Sequence, residues 1–202
     1  LPYFLSIYNI SFLDCYFEAI SGFTSTGFSI FDNIKHLDQS LILWRSTSQW
    51  VGGIYFLFSI ILLIDIFDVT LKKSFTEFTS FNLLETLKQY LKIVSIYSIL
   101  TLLIFILLTL IDLRVFDSFN LSLSIISSGG FLPINTLDNI FESDFKRLLF
   151  TFTMLISFFS LFLLFNLFFI KFNKLKFFVE DFYLLIFLII LFIIFFVFLN
   201  YN

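Results

Sequence analysis

Long apolar runs alternate along this chain with short stretches in which polar residues gather. Four runs, Leu41–Ile64, Leu91–Ile111, Leu148–Ile170 and Phe182–Leu199, reach or approach the roughly 20 apolar residues that a spanning helix needs. Charges fall mainly at their edges: Arg45 near one end of the first, Lys92 in the second, Arg147 and Lys171 on either side of the third. Leu1–Ile10 is apolar as well and reads as the tail of a further span, so the chain reads as a fragment. No basic segment followed by a short apolar core and a small-residue cleavage site marks a secretory leader. Between the runs, Ser11–His36 and Val115–Asn139 are too short and too polar to cross. Each opens with about three helical turns, breaks at glycine and continues as extended polar sequence, the pattern of a re-entrant segment. Non-helical backbone at membrane depth must lie inside protein or face water, because hydrocarbon satisfies neither N–H nor C=O.

Composition agrees with this reading. The chain of 202 residues is 59% hydrophobic and 13% charged, against about 25% charged in soluble domains. That excludes a soluble enzyme and a disordered tail, and a single cysteine, Cys15, excludes a disulfide scaffold. A net charge of −3 with no basic cluster larger than Lys72–Lys73 excludes nucleic acid as a partner and leaves the lipid bilayer. If both short segments enter from outside, the inner loops hold Lys72, Lys73, Lys88, Lys92, Lys171, Lys174 and Lys176, the side that the excess of Lys and Arg marks as cytoplasmic. Nine of the fifteen acidic residues fall on the other side, where a negative mouth would concentrate cations.

Sliding the chain against itself by 103 residues aligns Phe12-Leu13-Asp14-Cys15-Tyr16 with Val115-Phe116-Asp117-Ser118-Phe119, and Ser25-Thr26-Gly27-Phe28 with Ser128-Gly129-Gly130-Phe131. The repeating unit is span, re-entrant helix, glycine-containing loop, span. The six glycines fall in three places, Gly22 with Gly27, Gly52 with Gly53, and Gly129 with Gly130. Gly27 and Gly130 share one repeat position, where a short helix is expected to end and the backbone can approach a ligand. Helix C-termini carry unsatisfied carbonyls and partial negative charge. Small residues after them can turn carbonyl oxygens toward a dehydrated cation. Thr24, Ser25, Thr26 and Gly27, with Ser127, Ser128, Gly129 and Gly130, have that smallness. Their hydroxyls either add ligands or hold the loop from behind. Close helix packing by small residues is the alternative for either loop alone.

At these residues the sequence resembles the membrane subunit of the Trk/Ktr/HKT family of potassium transporters. The likeness runs through Phe17-Glu18-Ala19-Ile20-Ser21-Gly22-Phe23-Thr24-Ser25-Thr26-Gly27, Trp44-Arg45-Ser46 and Gln49-Trp50-Val51-Gly52-Gly53, with Ser127-Ser128-Gly129-Gly130-Phe131 as the second loop. The resemblance implies an all-α integral membrane fold with pseudo-fourfold symmetry, of which two of four units are present. On that pattern residues 1–64 form the first pore unit, 65–90 a cytoplasmic linker, 91–170 the second unit, and 171–202 a linker with the first span of a third. It implies a filter at Ser25, Thr26, Gly27, Ser128, Gly129 and Gly130, supported by Thr24, Ser127 and Arg45. Potassium (K+) would sit at Ser25, Thr26, Ser128 and Gly129, with no organic cofactor. It further implies a homodimer in a bacterial cytoplasmic membrane, multi-pass, paired with a cytosolic nucleotide-binding regulatory subunit.

Other residues are read more simply. Arg45, close to a helix end, is expected to reach the outer interface by snorkelling and to pair with Glu18 or Asp32. Trp44 and Trp50 read as interfacial and packing aromatics. Asp14 and Asp117 are placed to cap the short helices. One histidine, His36, and one cysteine assemble no metal cluster, and no HExxH, GxSxG or GxxxxGK[ST] occurs, so no enzyme is indicated. Asn9-Ile10-Ser11 and Asn120-Leu121-Ser122 match the glycosylation pattern, the second inside an expected helix. The small-residue loops favour binding of a dehydrated cation, and the resemblance implies potassium uptake through a carbonyl-lined filter. A two-loop cation channel working as a dimer and a non-conducting membrane scaffold stand as alternatives.

Overall fold

The computed structural model describes residues 2–67, 83–134, 143, 145–155, 157, 183, 186–194 and 197–198, with side chains for all of these except 35, 60–67 and 83–89. All regular structure among the described residues is helical. The chain divides into two units, Leu1–Phe158 and Phe159–Asn202. In the second, residues 186–194 are helical, within the predicted run Phe182–Leu199.

The first unit runs as α1 (Phe12–Phe23), a 3-10 turn (Ile34–His36), α2 (Gln39–Phe67), α3 (Leu83–Leu110) and α4 (Val115–Ile126), followed by helical residues 145–155. Both long helices overrun the predicted spans: α2 continues to Phe67, and α3 begins at Leu83, inside the expected linker 65–90. The remainder of that linker, with Lys72 and Lys73, lies outside the described residues, as does the stretch carrying Lys171, Lys174 and Lys176. Residues 2–8, expected as the tail of a span, form turns, and Tyr3 joins Cys15, Ile34, Leu37, Leu41 and Ile42 in a small core. The Tyr8 hydroxyl closes this corner by donating to the His36 carbonyl (2.7 Å) and accepting from the Asp38 N–H (2.8 Å).

Helix α2 is the axis of the unit, packing against α1, α3 and α4; α4 also packs on α3. Its buried side is polar: Arg45, Ser48, Gln49 and Gly52 recur at the i, i+3, i+4, i+7 spacing of one helical face. Its exposed side carries Leu43, Trp44, Val51, Tyr55 and Phe56. A helix in water buries the apolar stripe instead, so the distribution is inverted. Helix α3 likewise turns Ile99, Leu102, Leu103, Ile106 and Leu110 outward, and its segment Tyr90–Leu110 is long and apolar enough to cross a bilayer. Exposed apolar surface on this scale suits lipid far better than water.

Candidate functional site

The two short helices are both twelve residues long and begin 103 residues apart, at Phe12 and Val115. They end in the same way. Thr24 and Ser127 occupy the cap position with nearly identical backbone angles (φ −87°, ψ 1° and φ −84°, ψ 0°). Ser25 and Ser128 follow in the left-handed region, both at φ 53°. In the first turn the Ser25 N–H donates to the Gly22 carbonyl (3.0 Å) and the Thr26 N–H to that of Ser21 (3.0 Å). In the second, the Ser128 N–H donates to Ile125 (3.0 Å) and the Gly129 N–H to Ser124 (2.8 Å). This pair of bonds defines the Schellman motif, which normally places glycine at the left-handed position. Here serine takes it, and the glycines expected at the helix ends come later. Gly27 has φ 81°, a conformation that L side chains resist.

Gly27 and Gly130 touch backbone to backbone: a Cβ on Gly27 would collide with the main chain of Gly130. The two loops that the sequence aligned are thus brought together at their shared glycine. No ion fits between these two residues. Among the described residues, no hydrogen bond ends on the carbonyl oxygens of Ser25, Thr26, Gly27, Ser128 or Gly129.

The hydroxyls mostly hold the loops from behind. Ser25 Oγ donates to the Gln49 carbonyl (3.3 Å). Thr24 Oγ1 bonds the Ile20 carbonyl (2.8 Å) and Thr26 Oγ1 (2.7 Å). Ser127 Oγ reaches the carbonyls of Leu123 and Ser124 (3.0 Å each). The Ser128 side chain is exposed and makes no hydrogen bond among the described residues.

The Trp-x-Gly-Gly stretch of α2 explains how both turns are seated. Gly52 lies against the Phe23 carbonyl at the end of α1, and Gly53 against Ser127 and the Tyr97 hydroxyl at the end of α4, with no room for a Cβ at either. Trp50, read from sequence as an interfacial and packing aromatic, packs on Tyr97 with ring centroids 5.3 Å apart and donates from Nε1 to Thr101 Oγ1 of α3 (3.0 Å). Trp44 stays partly exposed, edge-on to Phe23.

Arg45 does not snorkel; it is 1% exposed. Its Nε donates to Glu18 Oε1 (2.8 Å) and its Nη2 to Ser29 Oγ (2.8 Å). Its guanidinium carbon lies 4.2 Å from the Phe131 ring centroid and 5.4 Å from that of Phe31. Glu18, fully buried, also accepts from Ser29 Oγ (3.2 Å) and the Ile30 N–H (3.0 Å). Of the two expected partners, Glu18 is bonded and Asp32 is exposed. The charge is held inside because this network and two aromatic faces replace the water it would otherwise seek.

The capping assignments change as well. Ser11, not Asp14, accepts the N–H at the start of α1 (Asp14 N, 3.2 Å), and its hydroxyl donates to the Asp14 carboxylate (2.7 Å). Asp117 is taken up by Arg114, through Nε (2.7 Å) and Nη2 (3.2 Å). That contact raises the Arg114 pKa above its ordinary value, chiefly by the hydrogen bond. Asn120 is buried within α4, so its glycosylation pattern carries no acceptor site. No group of metal-ligating His, Cys, Asp or Glu occurs among the described residues.

Sequence reasoning missed Gln49 as more than part of a motif. It is fully buried. Its amide is oriented by its partners: assigned so that the oxygen meets the N–H groups of Gly130 (3.1 Å) and Phe131 (3.2 Å), it turns its nitrogen to Ser124 Oγ (2.8 Å). A buried amide in an apolar chain was the available signal, but its partners lie more than seventy residues away.

The fold and site therefore define an all-helical protein with lipid-like outer faces and two matched glycine loops in contact. The chain is 39% identical over 54 residues to an uncharacterized cation transporter, MJ1485, of Methanocaldococcus jannaschii. It is 41% identical over 54 residues to the Trk system potassium uptake protein TrkI of Halomonas elongata, and 35% identical over 46 residues to TrkG of Escherichia coli K12. The matched stretches are 27%, 27% and 23% of this chain but only 11%, 11% and 10% of the relatives. No protein-family model matches the chain. The resemblance to Trk-type potassium transporters read from the residues is thus shown by three relatives named as a cation transporter or as potassium uptake proteins.

Proposed function

We propose that this chain forms part of a potassium uptake pathway, with the two glycine loops lining it. One observation carries the reading: two turns of identical hydrogen bonding, 103 residues apart, meet at Gly27 and Gly130. Unbonded loop carbonyls beside that joint are the ligands that replace a cation's hydration shell. Ser25, Thr26, Ser128 and Gly129 supply them, and the touching glycines set how near the loops stand. On this reading α1 and α4 are pore helices of repeated span–loop–span units, completed to a pseudo-fourfold pore by further units. The protein is multi-pass in a bacterial cytoplasmic membrane, dimeric, and regulated by a cytosolic nucleotide-binding subunit. The relatives named as potassium uptake proteins support the ion.

The test is potassium-limited growth of an uptake-deficient cell carrying the complete gene. The wild-type gene restores growth, and Gly27→Arg, which drives a side chain into the Gly130 backbone, abolishes it at equal membrane abundance. Growth unchanged by Gly27→Arg overturns the assignment of the loops, and wild-type protein that moves no potassium in liposomes favours a non-conducting scaffold.

A further inference from the structure

The two loops share one residue that belongs to neither, gripping the first by its main chain and the second by its side chain. Gln49, on the buried face of α2, is bonded to both at the residues that form their turns. Its main-chain carbonyl accepts from Ser25 Oγ (3.3 Å), the left-handed residue of the first loop. Its side-chain amide faces Gly130 N (3.1 Å), Phe131 N (3.2 Å) and Ser124 Oγ (2.8 Å) of the second. Ser124 is itself the residue whose carbonyl closes the second turn by accepting from Gly129. Gly129 also leaves no room for a Cβ, because the Gln49 amide occupies that space.

An amide is the group that suits this position. Two converging backbone N–H groups need an acceptor, and the serine hydroxyl, able to donate or accept, takes the other arm of the same group. Glutamine offers both on one rigid plane, without a charge. An apolar residue of the same length would leave the Gly130 and Phe131 N–H groups buried without acceptors, and the loop would shift to find others. Phe131 would shift with it, although its ring lies over the Arg45 guanidinium at 4.2 Å and so reaches the first loop's ion pair.

We infer that Gln49 is the positioning residue that fixes the second loop against the first, and through that spacing sets which cation the pathway prefers. This rests on the transport reading above. Gln49 need not touch the ion; its side chain acts through the backbone of Gly130 and Phe131, while its main-chain carbonyl keeps the Ser25 hydroxyl of the first loop at the same residue.

The experiment compares potassium and sodium flux into liposomes containing the full-length protein, normalised to the monodisperse protein reconstituted. Gln49→Leu lowers the potassium-to-sodium flux ratio by about tenfold, the change that ~1.4 kcal/mol of differential site energy produces. Gln49→Glu keeps the ratio within about threefold of wild type, because a protonated carboxyl supplies the same acceptor and donor. Ser124→Ala, which removes only the amide's hydroxyl partner, gives an intermediate ratio and serves if Gln49→Leu does not fold. A residue that merely stabilises the fold would reduce both fluxes together. An unchanged ratio in Gln49→Leu, or in Ser124→Ala where the leucine variant is lost, therefore overturns the inference. Wild-type vesicles that carry neither ion overturn the transport reading and the inference with it, a result distinct from selective wild-type flux that the variants leave unaltered.

Discussion

Helices α1 and α4 have the same length and the same terminal turn, but they are fastened by different chemistry. Helix α1 is fixed along its middle: Glu18 is fully buried and meets Arg45 of α2. Helix α4 has its arginine at the start, where Arg114 is 76% exposed and pairs with Asp117 three residues on. It is fixed instead at its end, by neutral hydrogen bonds from Gln49. Packing differs in parallel. Among the described helices α1 packs mainly on α2 and leaves Phe12, Leu13, Tyr16, Phe17 and Ile20 exposed. Helix α4 lies on both α2 and α3 and is buried from Asn120 to its end. Matching local geometry thus does not require matching support. A turn is set by a few backbone bonds, whereas its placement depends on whichever neighbours are at hand.

The ion pairs should separate the two helices most widely. Arg45→Met leaves the Glu18 carboxylate buried without its counter-charge and should cost about 3–5 kcal/mol. Arg114→Met removes an exposed partner but leaves the Asp117 carboxylate buried without it; water can reach the vacated side, so the cost should be smaller, about 1–3 kcal/mol. Denaturation of the two variants in detergent, followed by tryptophan fluorescence, measures the difference. Equal losses would mean that α1 and α4 are held alike after all. Because Arg45 also stacks on Phe131, its loss should disturb the second loop as well, and Glu18→Gln with Arg45→Met should recover part of the stability by removing the stranded charge.

Next in size are the two adjacent glycines of α2. A Cβ at Gly52 meets the Phe23 carbonyl, backbone at the end of a helix, which cannot move without moving α1. A Cβ at Gly53 meets the Tyr97 hydroxyl, the tip of a side chain that can rotate, and Ser127. Gly52→Ala should therefore cost about 1–3 kcal/mol, and Gly53→Ala less, in the same denaturation measurement. The reverse order would show that the first loop yields more easily than the second.

These contrasts mark how far the sequence could be read. The span within α3 and the two short helices 103 residues apart are legible because apolar length and local motifs act within a few turns of chain. The contact of Gly27 with Gly130 followed from the repeat only as a shared position, not as a touching pair. Arg45 was misread because its distance from a helix end permits snorkelling, and nothing local reveals that Glu18 and Phe131 converge on it. Gln49 was passed over for the same reason, since its partners Ser124, Gly130 and Phe131 arrive from another segment. The short helices are expected from sequence to end at Gly27 and Gly130, yet the Schellman bonds close each one earlier and place serine at the left-handed position.

That last substitution offers the finest division between the loops. Ser25 and Ser128 both hold φ 53°, a conformation that costs a residue with a Cβ roughly 1 kcal/mol and glycine almost nothing. Ser128 has an exposed side chain without a hydrogen bond among the described residues, so Ser128→Gly should stabilise by about 0.5 kcal/mol once the greater freedom of unfolded glycine is subtracted. Ser25 also donates to the Gln49 carbonyl, a bond worth about 1 kcal/mol, so Ser25→Gly should gain nothing or lose slightly. Opposite signs for one substitution at equivalent positions would show that the hydroxyl retained in the first loop is there to grip α2. Stabilisation of equal size at both would show that the Ser25 bond contributes nothing, and that the two loops differ only in what surrounds the second.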